Sequence, residues 1–210
     1  MSEPPEPQRM INHWWWRPGW RVGRQFYTWH LTFADVPDVH RLAHAYGPYL
    51  DLPGLDLIPD PGLHLTMQGI GFVDEVAPAD VVKIAQAART QLAHIEPFTI
   101  SLGPTVVDDE VVRLEVAPIA PVRELRDRLR VAIAEVWGPD NVPEAADGFT
   151  PHVSLAYSNR DGDITPIQAA ASAVSPEPAI VPVSHADLIL LNRDQQQYQW
   201  TTHARVPLGG

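Results

Sequence analysis

Two tripeptides, His64-Leu65-Thr66 and His152-Val153-Ser154, each place an imidazole and a hydroxyl two residues apart in an apolar, strand-like run. Strand side chains alternate between faces, so each polar pair points one way while Leu65 or Val153 points the other. Histidine accepts and donates protons near neutral pH, and two of them permit a general base and a general acid to work together. A Ser or Thr hydroxyl can donate a hydrogen bond to a non-bridging phosphoryl oxygen, where negative charge gathers during the reaction. Brought to one cleft, the two motifs would bracket a single phosphorus atom. For a 2′,3′-cyclic phosphate, one histidine would take a proton from water attacking in line. The other would protonate the departing ribose oxygen, while Thr66 and Ser154 held the equatorial oxygens. The scheme needs no metal and no other cofactor, and no aspartate cluster at ligand spacing argues for one. Which histidine is the base stays open. The same groups can cleave a 2′–5′ linkage or, run backwards, join ends.

A third copy, His30-Leu31-Thr32, shows how readily the tripeptide arises. His64 and His152 differ from it in context, because each opens a strand directly after a Pro/Gly-rich loop and so sits at a loop rim. If the strand around His30 pairs beside the first motif, His30 and Thr32 can face the same cleft; packing within the sheet is the competing expectation. Arg24, Tyr27 and Trp29 are further candidates for substrate contact. Tyr27 and Trp29 share parity, so a regular strand puts them on the face opposite His30 and Thr32, and all four cannot reach one cleft. The remaining histidines, His13 and His40 among them, have no comparable arrangement and are read as surface or packing residues. His40 and His44 are one helical turn apart but lack a third convergent ligand, so no metal site is expected.

The chain of 210 residues is long enough for a real core, and its hydrophobic fraction of 45% is ordinary for a globular protein. It has no cysteine, which excludes disulfides, thiolate catalysis and cysteine-ligated metals and fits a cytoplasmic location. The formal charge is −11 and Lys83 is the one lysine. Extended DNA binding is therefore not expected, whereas a small phosphorylated substrate, a nucleotide or an RNA terminus needs only local donors. No apolar run is long enough to cross a membrane, and a monomer is the working expectation. Five of the seven tryptophans lie at or before Trp29, among Arg9, Arg17, Arg21 and Arg24. Residues 1–24 are therefore read as a Trp/Arg-rich arm, either packed over the core or forming an aromatic wall beside the substrate.

Positioning these groups requires a mixed set of elements. Strands are expected over residues 25–33, 63–72, 98–107, 110–117, 150–157, 180–191 and 197–207. Helices are expected over 37–49, with Asp35 as a cap, over 78–94 and over 121–136. Residues 52–62 and 138–148 read as loops. Arg123, Arg126, Arg128 and Arg130 are read as a solvated helix face. Glu96-Pro97 is a candidate hinge between halves. The pattern predicts an α+β protein with antiparallel sheets at a central cleft.

With both motifs placed, the chain resembles the 2H phosphoesterase superfamily, which includes bacterial 2′–5′ RNA ligase-like proteins and cyclic nucleotide phosphodiesterases. The likeness runs from about Phe26 to Val206 and is tightest at Pro151-His152-Val153-Ser154-Leu155. It implies a bilobal fold over residues 25–207 as one unit and metal-independent hydrolysis of a 2′,3′-cyclic phosphate or related phosphodiester. His64 and His152 would be the acid–base pair, Thr66 and Ser154 the phosphate holders. A non-catalytic module for a nucleotide or RNA end, and an RNA ligase, are the alternatives. Where many ligase-like members carry arginine after the second motif, this chain has Tyr157, a hydroxyl donor without charge. Met67-Gln68-Gly69 replaces a more usual apolar pair after the first.

Overall fold

The computed structural model describes residues 9–209. Eleven strands are present among them: β1 (Arg9–Met10), β2 (Phe26–Thr32), β3 (Leu55–Leu57), β4 (His64–Phe72), β5 (Phe98–Val107), β6 (Val111–Ala117), β7 (His152–Ser158), β8 (Gly162–Asp163), β9 (Ala179–Val183), β10 (His185–Asn192) and β11 (Gln199–Pro207). The helices are α1 (Pro37–Leu50), α2 (Pro78–Leu92), α3 (Ile119–Trp137) and α4 (Thr165–Ser172). Two antiparallel sheets carry the fold, one ordered β11-β10-β2-β4 and the other β3-β7-β6-β5-β9, with a small β1-β8 pair beside them. The expected α+β, two-lobed arrangement around a cleft is what the chain adopts.

Each sheet buries one face under a pair of helices. α2 and α3 pack together and cover the first sheet through β11 and β4, while α1 and α4 cover the second through β9, β3 and β5. The helices are exchanged in sequence, since α1 follows a strand of the first sheet and α3 a strand of the second. Nor do the lobes correspond to sequence halves. β3 joins the second sheet early, and β10 and β11 return to the first at the end, so Glu96-Pro97 is not the single crossing between them.

Several local expectations change for physical reasons. The loop at 52–62 contains β3, whose three residues pair with Ala156–Ser158 despite flanking Pro and Gly. The single strand expected over 180–191 is two, β9 and β10, in different sheets, separated at Ser184. Asp35 does not cap α1; the N-cap is Val36, without a side-chain bond, and Pro37 opens the helix. Arg126 and Arg130, one turn apart, do not form a solvated face. Arg126 is buried and donates to the carbonyls of Met67, Ala145 and Ala146, and Arg130 donates to Gln68, Pro143 and Glu144. They tie the loop after α3 to the strand carrying the first motif.

Candidate active site

His64 and His152 are the first residues of β4 and β7, which lie against one another across the two sheets. Leu65 and Val153 are fully buried, so the alternation of each strand turns the polar members toward the cleft. The preceding loops aim each ring. A tight turn over Asp60–Gly62 brings the Gly62 carbonyl to His64, whose Nδ1 donates to it at 2.7 Å. Thr150 precedes Pro151, which confines it to extended backbone, and its carbonyl accepts from His152 Nδ1 at 2.9 Å. A carbonyl can only accept, so both neutral rings carry hydrogen on Nδ1 and keep the lone pair on Nε2. Both line a cleft of about 1140 Å³ together with Thr66, Ser154, His30 and Tyr157.

Burial sets the protonation of this group. His64 is pushed down to about 4, chiefly by desolvation, with the neighbouring His152 adding to it. His152 is also lowered by burial and by Arg113, against its carbonyl bond and Asp108. His30 is driven well below the usual histidine range by complete burial and by His64. Its ring stacks on His64 at 4.5 Å and 3°, and its Nε2 lies 3.3 Å from Thr66 Oγ1. This follows from register, because His30 pairs with Thr66 and Thr32 with His64 across β2 and β4. Tyr157 shares a hydrogen bond with Ser154 and is held neutral by burial, which raises its phenol.

The other expected contact residues lie elsewhere. Phe26, Thr28 and His30 form the cleft face of β2, so Tyr27 and Trp29 point into the core. Trp29 is fully buried, and Tyr27 packs edge-on against His203 of β11 at 5.4 Å. Arg24 is outside the cleft, with its guanidinium 3.7 Å over the Phe72 ring and bonded to Asp74, Glu75 and the Gly19 carbonyl. It clamps the arm to the turn after β4 and is not free for phosphate. The adjacent-turn pair His40 and His44 is likewise engaged, with the Phe33 carbonyl and Asp60 respectively. Among the described residues no group of three His, Cys, Asp or Glu side chains is placed to hold a metal.

Sequence reasoning missed His13. Its ring stacks on Tyr157 at 4.1 Å, donates from Nδ1 to Glu110 at 3.1 Å and accepts from the Tyr198 hydroxyl at Nε2, 2.9 Å away. Burial and the nearby Arg17 push it down to about 4, against Glu110. Glu110 also accepts from Trp15 Nε1 and from Arg17. Trp14 is buried against Tyr157 and Tyr198 and donates to Asp56, while Trp15 and Trp16 stay nearly half exposed. From Arg9 onward the arm thus packs on the core and also walls one end of the cleft; its first eight positions lie outside the described residues. His13 belongs to no spacing motif; the only hint is the aromatic density around it. Formal charges on the cleft wall are Arg9, Arg17 and Arg193 against Asp108, Asp109, Glu110, Glu144 and Asp161.

The family model for the 2′-5′ RNA ligase superfamily matches residues 37–195. No curated protein matches the chain. Among solved structures, TT0787 of Thermus thermophilus is similar at 21% identity and a TM-score of 0.63, covering 89% of this chain and 98% of that one. E. coli LigT in its apo form is similar at 16% identity and a TM-score of 0.67, covering 89% and 99%. LigT complexed with 3′-AMP is similar at 17% identity and a TM-score of 0.63, with the same coverage.

Proposed function

The chain belongs to the 2′-5′ RNA ligase superfamily, which carries phosphodiester chemistry, and from that premise we propose that it hydrolyses a 2′,3′-cyclic phosphate or a 2′–5′ linkage on a nucleotide or RNA end. The observation that carries the proposal is the pair of matched Nδ1–carbonyl bonds, which leave two Nε2 atoms for one cleft beside two hydroxyls. The binding of 3′-AMP by LigT supports a nucleotide-sized substrate. The roles divide on burial. His64, the more deeply buried ring, is neutral at pH 7 and acts as base. His152, more open to the cleft, acts as acid once the anionic substrate has raised its proton affinity. Water loses a proton to His64 Nε2 and forms a bond to phosphorus. The opposite P–O bond breaks, and its oxygen takes the proton from His152 Nε2. The product is a phosphomonoester beside a free hydroxyl, and Thr66 and Ser154 donate to the oxygens where charge develops.

The open cleft supports catalysis over a purely binding role. Its wall carries more carboxylates than guanidiniums, which favours hydrolysis over joining two polyanionic ends. The test is turnover of 2′,3′-cyclic nucleotides, 2′–5′ dinucleotides and cyclic-phosphate RNA ends with EDTA present. His64→Ala and His152→Ala should each lose about 10²–10⁴-fold in kcat. Because both rings are lowered from 6.5, one to about 4, kcat/KM should peak on the acid side of 6.5. Equal turnover in all three proteins, or turnover abolished by the chelator, would refute the scheme.

A further inference from the structure

His30 takes no part in the proton transfers above, yet it is the residue most completely enclosed by the site. It is 1% exposed, stacked flat on His64, and closed at its edge by Trp200 at 5.9 Å. Its two nitrogens have unequal surroundings. Nε2 faces Thr66 Oγ1 at 3.3 Å, whereas Nδ1 is buried with no partner among the described residues. A neutral imidazole has one N–H and one lone pair to distribute over these positions.

If the hydrogen were on Nδ1, a buried N–H would be orphaned, the rarer kind of unsatisfied group in folded proteins. Nε2 would then accept from Thr66, and the hydroxyl would spend its one hydrogen on histidine. If the hydrogen is on Nε2, the orphan is only a lone pair. Nε2–H then donates to a lone pair of Thr66 Oγ1, and the hydroxyl hydrogen turns outward to the cleft, toward which exposed Thr66 faces. The arrangement has a counterpart across the cleft, where the buried Tyr157 hydroxyl shares a hydrogen bond with Ser154.

We propose that His30 is a positioning residue, which donates Nε2–H to Thr66 Oγ1 and so reserves the threonine hydroxyl hydrogen for a phosphoryl oxygen of the substrate. The third His-x-Thr copy thus acts through the first and never touches the phosphorus. This role rests on the phosphodiesterase reading for its consequence, but its hydrogen placement can be checked without turnover.

In the full chain labelled with 15N at histidine, His30 should show a protonated Nε2 and a bare Nδ1. His64 and His152 should show the reverse, as their carbonyl bonds require. An Nδ1–H tautomer at His30 would overturn the proposal, whatever the activity. The second arm is a double-mutant cycle on the best cyclic nucleotide. His30→Phe keeps a stacked ring and should lower kcat about tenfold with KM nearly unchanged, the scale of one hydrogen bond. His30→Gln, which retains an N–H donor, should recover part of the loss. In a Thr66→Val background, His30→Phe should cost less than about twofold, because its target is gone. An equal loss in both backgrounds would mean that His30 only packs. Absence of turnover in the wild type would instead count against the phosphodiesterase reading, leaving the tautomer measurement to decide the role of His30.

Discussion

Lowering the pH from neutral adds protons to the unfolded chain that the folded protein refuses at His64. Its ring sits on β4 behind a carbonyl bond and beneath His30, and burial takes it from 6.5 to about 4. Above 6.5 the ring is neutral in both states and contributes no slope. Between 6.5 and 4 the unfolded chain binds a proton and the folded chain does not, so stability falls as pH falls. Below about 4 both states are protonated and the loss is complete. Each pKa unit is worth about 1.4 kcal/mol, so His64 alone accounts for a loss of about 3 kcal/mol. With a urea slope of about 3 kcal/mol per molar, the midpoint falls by about 1 M on this account. The comparison is urea unfolding of wild type and His64→Gln at several pH values from 7 to 4. His13 titrates in both proteins and drops out of the difference to first order, whereas His30 and His152 repel the charged His64 ring and add to the loss in wild type. Wild type should lose about 3 kcal/mol more than the variant. Parallel pH dependences would show that His64 is solvated, and the division of acid and base roles by burial would go with them.

The arm and the arginine clamp give two further expectations. Glu110→Gln should free the arm, since Glu110 holds His13, Trp15 and Arg17 together. Exchange at the Ile11 and His13 amides, which donate to Asp109 and Ser158, should accelerate about tenfold on loss of a charged acceptor, with the central strands unchanged; unaltered exchange would refute the clamp. Arg126→Met should destabilise by about 2–3 kcal/mol in urea, because it removes a charged donor from the Met67 carbonyl and releases Ala145 and Ala146. It should also lower kcat, since the released loop leads to the Thr150 carbonyl that aims His152; unchanged stability and kcat would contradict this.

What could be read from the chain follows from how local each signal is. Alternation in Leu63–Phe72 and Pro151–Tyr157 was enough to place both polar pairs on one face, because period 2 needs no knowledge of the partner strand. The same parity argument separated Tyr27 and Trp29 from His30, but it could not say which face would be inside. That choice depends on β10 and β4 flanking β2, a pairing with sequence separations no window spans. Arg126 read as a surface residue because its acceptors are backbone carbonyls, which every residue has and none advertises. His13 was invisible for a related reason. Its role arises from Glu110, Tyr157 and Tyr198, three residues brought together only by the completed fold.

The same contacts bear on how the cleft is held open. A two-lobed enzyme with sequential halves can hinge at one linker, but here the helices are exchanged between sheets and the chain crosses between them repeatedly. The arm adds ties at one end. His13 donates its amide to Ser158 of the second sheet and accepts at its carbonyl from Arg193, beyond the end of β10 in the first. Gly23 donates to Asp194 of that same hairpin, and Trp14 to Asp56 of β3. Rotating one lobe against the other would break these bonds and pull apart the packing of β4 on β7. The relative placement of the two Nε2 atoms is therefore set by the packed core before substrate arrives. That is the condition under which hydroxyls and imidazoles stabilise a developing charge without the energy of reorganising them.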